Sequence, residues 1–414
     1  MKQSFPNITS LGCNWLPYAC YLLGVVVCIR HSAFLPIPLP VVTLLSLVVV
    51  LAGCSRRIAV NLPLLVFVCL CAVSIAIHPW PAPWLRGQRF VASLVGMLCF
   101  SPLLLTDKLA VMRTYLAKSI FTTLGIMVSL SFLVWLVCLI RYGADGIWLK
   151  QFHYYGFKGI FERGMTLSPV AGIVAIISVS KVINPKIQSS RLLYAVLFVV
   201  GSITCVVAGS RTAIVGLLIA LCVFLWQNRR HILSLLKNRK ARIIAVCCGG
   251  AMLAMLPSSL GVVQHKMQTG EKHGSIFYSR QQLFSDRKAE FASSPWMGIG
   301  YANEYPSETN GGDVLAIQPG SSWLSILTYT GVVGGGVFLW FLIRLVKRLR
   351  RKENTRSYPP GFFPLLVFLF IDATTEGWLL FSGALMFPVF WLTLSYAWQT
   401  DHSSNTTERK LFYQ

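Results

Sequence analysis

The chain has 414 residues, 55% of them hydrophobic and only 12% charged, roughly half the charge of a soluble domain. That balance excludes a separate soluble domain of ordinary size and places the chain among integral membrane proteins. The net charge is +23, from 37 Lys and Arg against 14 Asp and Glu. The basic residues stand in short loops between apolar runs, so they orient helices and do not point to nucleic acid.

In chain order the apolar runs predict spans at 12–29, 34–53, 60–77, 90–105, 117–140, 166–183, 192–208, 212–227, 243–260, 322–343, 361–375 and 377–397. Each needs roughly 20 residues to cross the hydrocarbon core, which makes an all-α integral membrane protein of about twelve helices. Residues 1–260 hold nine spans, 261–321 form a large polar loop, 322–398 hold the last spans, and 399–414 form a cytoplasmic tail. The first run lacks a cleavage pattern and reads as a signal anchor. Asp372 and Glu376 interrupt the final pair of spans.

Loop charges set the topology. Arg56-Arg57, Lys108 with Arg113, Lys181 with Lys186 and Arg191, Arg229 to Arg242, and Arg344 to Arg356 fall in alternate loops. The positive-inside rule puts these in the cytoplasm with both termini, and the remaining loops face the periplasm. The scarcity of acids argues against a cation pump built on intramembrane carboxylates. All twelve cysteines lie between Cys13 and Cys248, with neither metal-ligand spacing nor a disulfide framework.

Two outward loops stand out. Arg141 to Gly164 carries Trp148, Phe152, Tyr154, Tyr155, Phe157 and Phe161 with Lys150, Lys158 and Arg163. These rings suit stacking on sugar faces, and equally an interfacial belt. The second, Gly261 to Ser321, is long enough to have its own structure. Within it Ser279 to Ala292 predicts an amphipathic helix with Leu283, Phe284 and Phe291 on one side, ended by Pro295, Gly298 and Gly300.

Arg211, Arg280 and Arg287 lie on the outward side, where orientation does not explain them. Arg280 and Arg287 are two helical turns apart and share a face. A guanidinium is always charged, and its planar fork matches phosphate oxygens; the same residues would also serve as headgroup anchors. His265 and His273 have no ligand partners in a metal-site pattern. Gly331 with Gly334-Gly335-Gly336 suits close helix packing, because no Lys-Ser/Thr follows to make a phosphate loop.

Ser210-Arg211-Thr212, then Ser279-Arg280-Gln281-Gln282-Leu283-Phe284, then Ser294-Pro295-Trp296-Met297-Gly298-Ile299-Gly300, then Ser322-Trp323 to Thr330-Gly331 resemble, in order and spacing, the O-antigen ligase and polymerase superfamily. Arg287 to Gly298 also fits the Arg-x10-Gly pattern of polymerase loops. The resemblance implies a GT-C-like bundle capped by a helical periplasmic loop. It further implies a metal-independent, inverting glycosyltransferase without a cofactor. The donor would be a glycan on undecaprenyl pyrophosphate, whose leaving diphosphate Arg211 and Arg280 would hold.

One departure matters. Ligases of this family tend to place His-Asn where this chain has Gly320-Ser321, so the proposed acceptor-activating base is missing there. Glu376, in Thr374-Thr375-Glu376-Gly377-Trp378, is the substitute; a carboxyl beside a membrane helix is a functional candidate. Asp313, Glu304 and Glu308 are weaker. Arg287, Arg163, Ser321 and Trp323 complete the expected substrate-side set.

The missing histidine favours a polymerase of surface-polysaccharide repeat units, with a glycan acceptor. A ligase joining glycan to lipid A-core, a protein O-oligosaccharyltransferase and a polysaccharide transporter or flippase are the alternatives. The expected partners are donor, acceptor and membrane lipids.

Overall fold

Prolines and a threonine start the early helices. α1 (Leu16–Ile29), α2 (Leu39–Gly53) and α3 (Leu62–Ile77) each carry proline in the first two positions, where a missing N–H removes no helical hydrogen bond. The computed structural model describes residues 15–54, 58–78, 83–143, 157–183, 190–236, 278–303, 320–353 and 361–399. After α4 (Pro83–Phe100) comes α5 (Asp107–Tyr142), 36 residues long. Thr106 caps it: Oγ1 accepts from the Leu109 N–H at 3.1 Å and donates to the Gly53 carbonyl at 3.0 Å.

α6 (Gly164–Ile183), α7 (Arg191–Ala208) and α8 (Arg211–Leu236) follow. The loop helix α9 (Tyr278–Ser293) then precedes α10 (Ser322–Glu353), α11 (Phe362–Asp372) and α12 (Met386–Gln399). Among the described residues five helices, α5, α6, α7, α8 and α10, are long and apolar enough to cross a membrane, and α1, α2, α3 and α11 are shorter apolar helices. The protein is an all-α, multi-pass membrane protein. The strands β1 (Ala59–Val60) and β2 (Leu104–Leu105) form one short antiparallel pair.

Two predicted spans change. The span at 90–105 is a helix over 83–100 followed by β2, because Pro102 cannot continue the ladder and Ser101 Oγ donates to the Met97 carbonyl at 2.6 Å. The span at 377–397 is a helix only from Met386; residues 373–385 run in turns and extended chain held by side chains of neighbouring helices. The predicted loop helix 279–292 is α9. The span at 243–260 lies outside the described residues.

Helix ends sort into two groups. At one end Thr106 meets Gly53, and Arg348 donates to the carbonyls of Ala397 and Trp398. At the other, Ala33 N–H bonds Ile160 O, Arg30 reaches Gly383 O, Tyr301 Oη reaches Leu380 O, and Thr212 meets Thr375. These groups match the alternation read from loop charge.

Arg113 departs from that reading. It is 2% exposed, and its guanidinium donates to the carbonyls of Leu98, Cys99 and Leu104 at 2.9–3.0 Å. It terminates α4 by occupying carbonyls that the last helical turn leaves open, a place favourable for a cation. In the sequence it counts among the cytoplasmic loop charges that set the topology.

Candidate active site

Residues 373–385 cross the end of the bundle between α11 and α12, and the serine at the start of α10 holds them there. Ser322 N–H bonds the carbonyls of Ala373 at 3.0 Å and Glu376 at 3.1 Å. Its Oγ donates to Glu376 O at 2.6 Å and accepts from Leu379 N–H at 3.2 Å. From the other side, Thr212 Oγ1 in the first turn of α8 meets Thr375 Oγ1 at 2.6 Å. Asp372, fully buried, accepts from Trp378 Nε1 at 2.9 Å through Oδ2.

This frame presents the Glu376 carboxylate to α9, where Arg280 Nη2 pairs with its Oε1. The two side chains keep 19% and 21% exposure, so the pair is sheltered yet reachable. Burial pushes the Glu376 carboxyl up to about 8; Arg280 pulls it back down and Asp372 adds to the rise. A carboxyl with that proton affinity matches a group that exchanges protons near neutral pH.

Arg211 is the first residue of α8 and is partly exposed. Its neighbour Thr212 touches Thr375, the neighbour of Glu376. Arg280 and Glu376 thus pair, and Arg211 stands one residue from the Thr212–Thr375 contact on the same turn. The substrate-side set does not converge with them. Arg287 is 2% exposed, with Nη1 2.9 Å from Glu290 Oε2. The charges attract at this distance, although the hydrogen-bond direction is poor.

Ser321 is buried and caps α10, accepting from Leu324 N–H at 3.4 Å. Trp323 packs its ring 5.3 Å from Phe370 and 6.4 Å from Phe338. Arg163 is exposed at the start of α6, where its carbonyl accepts from Thr166 N–H at 3.1 Å. Glu304, Glu308, Asp313, His265 and His273 lie outside the described residues. So do the rings of the first outward loop before Phe157. No group of three or more His, Cys, Asp or Glu that could hold a metal ion occurs among the described residues.

Sequence reasoning missed Ser322, Thr375 and Asp372 as the frame. Serine and threonine in a membrane chain give little signal, because most back-bond within their own helix. Asp372 did carry one: a carboxyl in an apolar run, four residues before Glu376.

Residues 195–339 match the family model described as O-antigen ligase. Over this stretch, about a third of the chain, the protein is similar to that O-antigen ligase family. The matched segment runs from α7 through α8 and α9 into α10 and includes Arg211 and Arg280, while Glu376 lies beyond it. No curated protein matches the chain.

Proposed function

We propose that this protein transfers glycan from undecaprenyl pyrophosphate to a second glycan, polymerising surface-polysaccharide repeat units at the periplasmic face of a bacterial inner membrane. The observation that supports the reading best is the pairing of Arg280 with Glu376 on a turn that also docks the first turn of α8 beside Arg211. An acceptor hydroxyl oxygen attacks the anomeric carbon, and its proton passes to the Glu376 carboxylate. The carbon–oxygen bond to the diphosphate breaks and its electron pair stays on the diphosphate. Arg211 and Arg280 stabilise that charge as it develops, supplying the positive charge that a divalent cation could otherwise provide. Inverted configuration follows from a single displacement.

The description of the matching family favours a second reading, transfer to lipid A-core. The test uses purified protein in lipid nanodiscs with labelled undecaprenyl-pyrophosphate oligosaccharide. A ladder of longer lipid-linked glycans from donor alone supports the polymerase. Transfer only when lipid A-core is added supports the ligase. Turnover with neither overturns both and leaves a protein acceptor or transport to be tried.

A further inference from the structure

α10 is broken near its start, and the chain leaving α9 fills the break. Gly331 adopts φ 63°, ψ −168° within α10. The N–H groups of Val332 and Val333 turn away from their own helix and bond the carbonyls of Pro295 at 2.8 Å and Trp296 at 3.3 Å. The carbonyl of Thr328 accepts instead from Ile299 N–H at 2.8 Å. The polar stretch Ser294 to Gly300 thus restores the backbone bonds the break removes, as a buried interruption in a membrane helix requires.

Two glycines allow that approach. A Cβ at Gly331 would lie 2.2 Å from the Trp296 oxygen, and one at Gly298 would lie 2.4 Å from the Tyr329 carbonyl carbon. Both have positive φ, which side chains rarely adopt. Arg287 and Glu290 sit buried one to two turns before this junction, and Thr328 Oγ1, which donates to Leu324 O at 2.7 Å, lies 3.5 Å from the Arg287 carbonyl. Beyond it, Ser74 Oγ accepts from Tyr301 N–H at 3.0 Å, and Arg86 Nε donates to Tyr301 O at 3.3 Å.

The first segment of α10, residues 322–330, therefore carries both halves of the site. Ser322 at its start holds the Glu376 turn, and the Thr328 carbonyl near its end holds the chain leaving α9 through Ile299 N–H. Six residues of helix, about 9 Å, fix the separation between those anchors.

We propose that Arg287 and Gly298 are positioning residues: with Glu290 they clamp α9 onto this segment, and so set where Arg280 meets Glu376, without touching substrate. The inference rests on the reading above, in which Arg280 and Glu376 act on the donor. It accounts for why Arg287, two turns from Arg280, is buried where Arg280 is not.

The test compares full-length wild type, Arg287→Ala and the double variant Arg287→Met/Glu290→Met in nanodiscs. Glycan transfer and amide hydrogen exchange of residues 278–293 are both followed. Arg287→Ala leaves Glu290 buried without this partner, so kcat should fall about 100-fold through misplacement with donor KM little changed, and exchange protection should drop. The double variant replaces the charges by apolar groups, a change buried pairs tolerate. It should regain protection and come within a few-fold of wild-type turnover. A double variant that is protected yet as inactive as Arg287→Ala would place Arg287 on the substrate and overturn the clamp. So would unchanged protection in Arg287→Ala. If wild type itself transfers no glycan, the functional reading fails, while the exchange pattern still decides the clamp.

Discussion

Arg280 and Glu376, 96 residues apart in sequence, form an ion pair at the end of the helix bundle. Arg280 stands on α9 and Glu376 in the 373–385 turns, and both segments are fastened to α10. The carboxylate occupies the guanidinium that a donor diphosphate would engage, so donor binding should free Glu376 as it captures Arg280. That exchange would leave the Glu376 carboxylate free to take a proton while Arg280 keeps its charge.

Replacing Glu376 by Gln keeps the shape and removes the base. Turnover should fall by about 10²–10⁴-fold, with donor KM changed far less. In wild type kcat/KM, which reports the free enzyme, should climb with pH until Glu376 is ionised, near about 8, and then level off. This limb should vanish from the residual rate of the Gln variant, as a pH–rate series on both proteins will test.

The same shift has a consequence for stability. The folded state holds the Glu376 proton more tightly than an ordinary carboxyl of 4.5. Its stabilising contribution is therefore complete below about 4.5 and is lost as pH rises toward about 8. Thermal unfolding in detergent across that window should fall more steeply for wild type than for Glu376→Gln.

Removing Arg280 by Ala should lower kcat by about 10²–10³-fold, the scale for losing one preorganised donor. Lys should recover only part, because it keeps the charge and loses the fork. The same ordering is expected at Arg211. Equal activity of Ala and wild type at either position, at matched protein levels, would remove the diphosphate role.

Ser322→Ala deletes the hydroxyl that joins Glu376 O to Leu379 N–H. Stability should drop by about 1–3 kcal/mol, the cost of stranding buried partners, and turnover should fall with it. A thermal midpoint unchanged from wild type would show that the turn is held without this serine.

Arg113→Met offers the contrasting outcome. It strands three carbonyls at the opposite end of the bundle, and stability should fall by about 2–5 kcal/mol. Turnover per folded molecule should stay at the wild-type value, measured after quantifying folded protein by size exclusion.

The sequence by itself determined the membrane class, the order of most helices and their alternation, because apolar length and loop charge are local properties that lipid and water read directly. It also singled out Arg211, Arg280 and Glu376, since charges that orientation does not explain are conspicuous in a chain with so few acids. Only the tertiary structure decided that Glu376 stands in a turn held by Ser322 and Thr212, and that Arg287 and Arg113 are buried inside the fold. A guanidinium reads the same in sequence whether it faces a diphosphate, a carboxylate three residues on or the open carbonyls of a helix end. Its partner is set by packing between segments distant in sequence, and in this bundle the break at Gly331 is where that packing is arranged.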